Sequence, residues 1–137
     1  MTRTPGTPLA RNAAALVAEA TASIDNVEVS DAAGRLGDED VLFVDIRDPR
    51  ELEREGTIPG AFRAPRGMLE FWVDPESPYY RPALDDGRRL VLFCQSGWRS
   101  ALTAKALQDM GFDAVAHLDG GFAGWKAAGH PVEGGTS

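Results

Sequence analysis

Three apolar runs, Val41–Val44, Leu90–Phe93 and Ala114–Leu118, lie along the chain with helix-prone segments between them. A strand with one wet face alternates apolar and polar residues. The first two runs show no alternation and the third is broken only by His117, so each is expected to be covered on both faces, as strands of parallel sheets are. Parallel neighbours cannot be joined by a hairpin and need a crossover, usually a helix. The pattern therefore predicts an α/β sandwich: a central, mostly parallel sheet flanked by helices on both faces. With 137 residues and 43% hydrophobic content, the chain can bury one core, and a single domain is expected.

The segments between the runs carry their own signals. Ala10–Ala22 is alanine-rich and reads as a helix, followed by a short strand at Val27–Val29 and a helix over Asp31–Leu36 with Ser30 as its cap. Asp48–Glu55 is charged and helix-prone. A further helix opening near Ser100 places Leu102, Ala106, Leu107 and Met110 on one face before Gly111 ends it. Gly56–Ala61 is a turn. Val73–Arg89, with Pro75, Pro78, Pro82 and Asp85-Asp86-Gly87, reads as a long irregular loop. Phe71, Trp72, Tyr79 and Tyr80 either wall a pocket near it or cover the edge of the core. Trp125 is expected in the core.

The only cysteine, Cys94, follows the second apolar run and precedes a helix. In open α/β sheets, ligands gather at the carboxyl ends of the strands, where this junction falls. Gly97 permits backbone conformations closed to other residues, so the amides after Cys94 can curl around the sulfur. Arg99 adds a positive charge, and the helix N-terminus a partial one. All three favour a thiolate, the reactive form. The alternative is a buried, inert core cysteine, and the glycine and arginine at these spacings argue against it.

Charge and cysteine count narrow the function classes. Fourteen basic against twenty-one acidic residues give a net charge of −7, which argues against nucleic-acid or anionic-membrane binding. Met1–Pro8 lacks the apolar run of a secretory signal. One cysteine forms neither an internal disulfide nor a thiolate metal cage, and the chain fits a reducing cytoplasm. His117 and His130 show no ligand spacing and read as a strand-end and a loop residue. No metal or other cofactor is expected.

Four ordered blocks then carry a resemblance. They are Val44-Asp45-Ile46-Arg47 with Glu51; Gly56-Thr57-Ile58-Pro59-Gly60-Ala61; Cys94-x-x-Gly97-x-Arg99-Ser100; and Asp119-Gly120-Gly121 with Trp125 and Gly129-His130-Pro131. From about Val29 to Val132 the chain resembles a single rhodanese domain, the sulfurtransferase module. Thr57 stands where the family usually has histidine, a change expected to matter little to the chemistry. The resemblance divides the chain into an N-terminal extension with a helix (1–23), a rhodanese domain (24–133) and a flexible tail (134–137).

The resemblance implies a ping-pong sulfur transfer. Cys94 would take sulfane sulfur from thiosulfate or a persulfide, hold it as a persulfide, and pass it to cyanide or a thiol, a protein thiol included. Arg99 would share the catalytic role. Gln95, Ser96, Gly97, Trp98 and Ser100 would bind substrate, and Asp45 and Arg47 would support the loop. Trp98 stands where some thiosulfate-specific relatives carry a basic residue. Glu51 and the other charges from Arg47 to Glu55 read as a solvated helical face, and Gly120-Gly121 as a place where a loop approaches closely. Two other readings stay open. A phosphatase or arsenate reductase on a similar scaffold would have five residues between cysteine and arginine rather than the four present here. A non-catalytic rhodanese-like binding module would keep its function without the thiol.

Overall fold

The computed structural model describes residues 2–135. Five strands form one sheet: β1 (Asp25–Val27), β2 (Val41–Asp45), β3 (Phe62–Arg63), β4 (Arg89–Phe93) and β5 (Val115–Leu118), in the order β1-β5-β4-β2-β3. Every pairing in it is parallel, as the apolar runs predict. Helices α1 (Ala13–Ser23), α2 (Val29–Gly34), α3 (Pro49–Glu55), α4 (Leu69–Val73), α5 (Trp98–Asp109) and α6 (Gly121–Ala127) complete the fold. Among the described residues no helix is long and apolar enough to cross a membrane.

Strand alternation sorts the core into two layers. Leu42, Val44, Leu90, Leu92 and Cys94 face one side, against Ala20 of α1, Leu69 and Val73 of α4, and Ala101, Ala104 and Leu107 of α5. Phe43, Val91, Phe93 and Leu118 face the other, against Ala32 of α2 and Phe122 and Trp125 of α6. Trp125 is fully buried, as expected, and its indole N–H donates to Pro131 O at 2.7 Å.

Local boundaries differ from the sequence reading in several places, and α1 opens at Ala13 rather than near Ala10. The first strand ends at Val27, where its partner β5 ends at Leu118 and Asp119 N–H donates to Val27 O at 2.8 Å. The chain then turns directly into α2 with Glu28 at its N-cap, so Ser30 lies inside the helix and caps nothing. Helix α5 opens at Trp98, two residues earlier than predicted, with Gly97 as N-cap in the left-handed region at φ 108°. Its inward face is Ala101, Ala104 and Leu107 with Ser100 and Thr103, while Leu102 is only partly buried and Met110 is 47% exposed. Small residues face inward because α5 is wedged between α1 and the sheet.

The proline-rich stretch is irregular apart from the last residue of α4, a 3₁₀ turn at Pro82–Leu84 and the first residue of β4. Its aromatics pair with one another and with neighbouring charges. Phe71 meets Tyr79 edge-on, Arg81 stacks 4.0 Å over Trp72, and Tyr80 donates to Asp85 at 2.6 Å. Trp72 packs against the core from its edge. At the other end of the chain, Glu133 bridges Thr57, and Gly135 lies against Gly56. Residues 136–137 of the expected tail lie outside the described residues, as does Met1.

The sharpest packing constraint joins α6 to the cysteine loop. Phe122 N–H donates to Cys94 O at 2.8 Å and Ala123 N–H to Gln95 O at 3.0 Å. A Cβ at Gly121 would come within 2.7 Å of Cys94 O and 2.6 Å of Gln95 O, with φ at 62°. The close approach expected of this glycine pair is therefore made by Gly121. A Cβ at Gly120 would meet nothing within 4 Å. Gly121→Ala combines backbone overlap with left-handed strain and should cost at least ~3 kcal/mol, against about 1 kcal/mol for Gly120→Ala, where only the positive φ is violated. Urea unfolding of the two variants checks this; equal losses would contradict the clamp.

Candidate active site

Cys94 stands one residue past β4, where Gly97 lets the chain double back before α5 begins. Gly97 N–H donates to Cys94 Sγ at 3.2 Å. Ser100 Oγ lies 3.6 Å from the same sulfur. The residue is only 1% exposed, yet these two contacts are polar. A buried sulfur with an aimed amide and a hydroxyl differs from the inert core cysteine, whose surroundings are apolar. Gln95 is half-buried, and Ser96 and Trp98 are exposed, so the outer rim of the loop faces solvent.

The loop is held from below by a buried ion pair. Asp45 accepts from Arg47 at its backbone N–H (3.1 Å), Nε (3.0 Å) and Nη2 (2.8 Å), and from Thr57 Oγ1 at 2.7 Å. Arg47 in turn donates to Gln95 Oε1 at 3.0 Å and Gly56 O at 2.6 Å, and sits 4.3 Å over the Phe122 ring. Both charges are essentially buried; removing Arg47 would strand Asp45, at a cost of about 3–5 kcal/mol, whereas Arg47 keeps Glu55 3.9 Å from its Nη1 when Asp45 is removed. Arg47 thus reaches the cysteine loop, α6 and the turn at Gly56 with one side chain. Thr57 spends its hydroxyl on Asp45.

Glu51 corrects the sequence reading. It does more than face solvent: it binds Arg99 through two hydrogen bonds, Nη1 to Oε1 at 2.7 Å and Nη2 to Oε2 at 3.0 Å, and closes the capping box of α3 with Asp48. Arg99 holds the Glu51 carboxyl below the usual carboxylate range, chiefly through these bonds. The Arg99 guanidinium is pushed up by Glu51 first and by Cys94 more weakly. Its positive charge is therefore largely answered within the protein before any ligand arrives.

Residues beyond the sequence motif also converge here. His117 is 3% exposed and carries Nδ1 3.0 Å from Ser100 Oγ, while its Nε2 lies 2.8 Å from Asn26 Oδ1. Register could have exposed it, because His117 pairs with Leu92 and so shares the face of Cys94, two residues after Leu92 and just past β4. By contrast, Phe71 and Tyr79 are 51% and 59% exposed at the edge described above. A cavity of about 800 Å³ opens at the opposite, amino-terminal ends of the strands, lined by Asp25, Val41 and Arg89, away from the sulfur.

With this geometry in hand, the chain can be compared with known proteins. Residues 28–128 match the rhodanese-like domain family. A sulfurtransferase of Allochromatium vinosum is 32% identical over 110 residues, covering 80% of this chain and 94% of that protein. A thiosulfate sulfurtransferase, GlpE, of Pseudoalteromonas translucida is 29% identical over 75% of this chain and 90% of its own length. Among solved structures, a Rhodopseudomonas palustris protein of unknown function, described as a possible tyrosine phosphatase, is 49% identical with a TM-score of 0.90, over 96% of this chain and 100% of that one. The parallel sheet, the cysteine loop at its carboxyl edge and the family match agree: this chain belongs to the rhodanese-like domain family.

Proposed function

We propose that this protein is a sulfurtransferase that carries sulfane sulfur as a persulfide on Cys94. The observation that carries the reading is the Gly97 N–H aimed at Sγ inside a loop with four residues between Cys94 and Arg99. In the first half-reaction the Cys94 thiolate attacks the outer sulfur of thiosulfate or the sulfane sulfur of a persulfide. A new S–S bond forms, the donor's own S–S bond breaks, and sulfite or a thiolate leaves with the electron pair. In the second, cyanide or a thiol attacks the outer sulfur and the Cys94 thiolate leaves. Both resting forms are anions, so the same N–H donor serves both without reorganising.

The scheme gives each residue of the loop a role. Cys94 is the nucleophile, and Arg99 supplies charge beside it. Gln95, Ser96, Gly97, Trp98 and Ser100 form the substrate loop, while Asp45 and Arg47 hold that loop in place. Small sulfur compounds, or a thiol on another protein, are the partners in this scheme. A reducing compartment such as the cytoplasm suits a chain whose single cysteine must remain free.

A second reading, phosphatase chemistry, is favoured by the description of the Rhodopseudomonas palustris protein. Loop length speaks against it, since four intervening residues leave less room for a tetrahedral oxyanion than five. Mass spectrometry of the intact protein after incubation with thiosulfate or glutathione persulfide separates the two. The proposal expects a gain of one sulfur, lost on adding cyanide or dithiothreitol and absent in Cys94→Ser. Phosphate release from an aryl phosphate with no sulfur gain would overturn it.

The Arg99–Glu51 pair yields a charge prediction. Arg99→Ala should raise KM for the thiosulfate dianion, whereas Glu51→Gln, which uncovers the arginine, should lower it. Each change is expected at about fivefold, the equivalent of ~1 kcal/mol for a partly exposed ion pair, and both should shrink in high salt. Steady-state assays at two ionic strengths check it; changes of the same sign would contradict it.

A further inference from the structure

His117 is a buried titratable group for which the sulfur-transfer scheme has so far no task. Its hydrogen-bond network fixes where its proton sits. Asn26 Nδ2 donates to Thr21 O at 3.0 Å and Ile24 O at 3.1 Å, so the amide oxygen is the atom facing His117 Nε2 at 2.8 Å. An amide oxygen only accepts, and Nε2 therefore carries the hydrogen. Burial pushes the imidazole toward its neutral form, which leaves Nδ1 bare, a lone pair pointing at Ser100 Oγ 3.0 Å away.

Ser100 has a single hydroxyl proton. Nδ1 at 3.0 Å is a closer acceptor than Gly97 O at 3.3 Å, so the proton goes to the ring. The serine oxygen then presents its lone pairs to Cys94 Sγ at 3.6 Å, the arrangement that accepts a thiol hydrogen. In this state every donor in the line from Cys94 to Asn26 points away from the sulfur.

We propose that Cys94, Ser100 and His117 form a proton relay that generates the nucleophile. The Sγ–H bond breaks with its electron pair left on sulfur, and that proton bonds to Ser100 Oγ. The original hydroxyl proton of Ser100 moves in the same step to His117 Nδ1. The products are a thiolate, a serine hydroxyl now donating to that thiolate, and an imidazolium whose Nδ1–H donates to the serine oxygen. Both states are fully hydrogen-bonded, and Gly97 N–H stays on the sulfur throughout. His117 acts through Ser100, and Asn26 positions the ring and selects its tautomer, as a carboxylate does in a hydrolase triad.

The groups facing the ring come from several elements. Asn26 approaches from β1, Ser100 from the start of α5 and through it Cys94 from just past β4, and Asp119 from just past β5. The negative charge of Asp119 opposes the effect of burial on the imidazole. The Arg99–Glu51 pair carries little net charge and is not among the groups that shift the ring.

As a step toward a sulfur nucleophile the relay rests on the sulfurtransferase reading, but thiolate formation is measurable without sulfur transfer. The rate of Cys94 alkylation by iodoacetamide, followed against pH, reports the thiolate. In His117→Asn, which keeps a polar atom near the position of Nδ1 but cannot take a proton at neutral pH, alkylation at pH 7 should slow about tenfold, as if the profile moved one unit up. A second measurement needs no change in the relay partners beyond the thiol: NMR titration of the His117 ring nitrogens. In the wild type the ring should titrate in step with the thiolate, in two coupled stages; in Cys94→Ser, without the anion, it should protonate only at lower pH. An unchanged alkylation profile in folded His117→Asn, or identical His117 titrations in wild type and Cys94→Ser, would overturn the relay. Coupled titrations in a protein that gains no sulfur would support the relay and overturn the sulfurtransferase reading instead.

Discussion

Two backbone hydrogen bonds, from Phe122 N–H to Cys94 O and from Ala123 N–H to Gln95 O, hold the cysteine loop in the shape on which its chemistry depends. They take up the carbonyl oxygens that would otherwise compete for space near the sulfur. With those oxygens committed to α6, the chain turns at Gly97 and brings an N–H, rather than a C=O, toward Sγ. The bonds exist because Gly121 has no side chain: one carbon more would overlap both carbonyls. A stacked pair of rings, Phe93 and Phe122, and the Arg47 guanidinium over Phe122 anchor the helix end that supplies the donors. Packing of the second core layer is in this way transmitted to a single sulfur atom.

Around that sulfur, formal charges are paired within the protein. Arg47 is matched by Asp45 and Arg99 by Glu51. Stabilisation of an anion at Cys94 consequently draws less on the Arg99 charge than on oriented dipoles: the Gly97 amide, the opening turn of α5, and Ser100 once its hydroxyl is free to donate. Dipoles fixed by the fold need no reorganisation when charge appears on sulfur. This arrangement suits a site that alternates between two anions of different length, a thiolate and a persulfide, better than one built to grip a multiply charged tetrahedral group.

Much of this was legible before any coordinates. The apolar runs gave the strands within a residue or so, because burial on both faces leaves a signal that composition alone carries. Gly97 and Gly121 were legible for a similar reason: positive φ and close backbone approach tolerate almost no other residue. What depends on pairing across the chain was not. Glu51 looks like one charge among many in a charged helix, and its bond to Arg99 spans 48 positions. His117 looks like a lone polar residue in a strand until the register with Asn26 and Leu92 is known. Ser30 is a good cap by type, but β1 runs out of partner before reaching it. Of the apolar residues expected on the inward face of α5, Leu107 is buried and Leu102 partly so, but small residues take the rest of that face, an outcome of crowding by α1 that hydrophobicity does not encode.

The central claim is that the loop from Cys94 to Arg99 is a preformed cradle for one additional sulfur. A crystal structure of the protein soaked in thiosulfate tests it most directly. The account predicts density for a single extra atom bonded to Sγ, lying within the loop and in hydrogen-bond reach of backbone N–H groups, with the Phe122 and Ala123 bonds unchanged. An unmodified sulfur, or a persulfide swung out of the loop with no amide near it, would contradict the account.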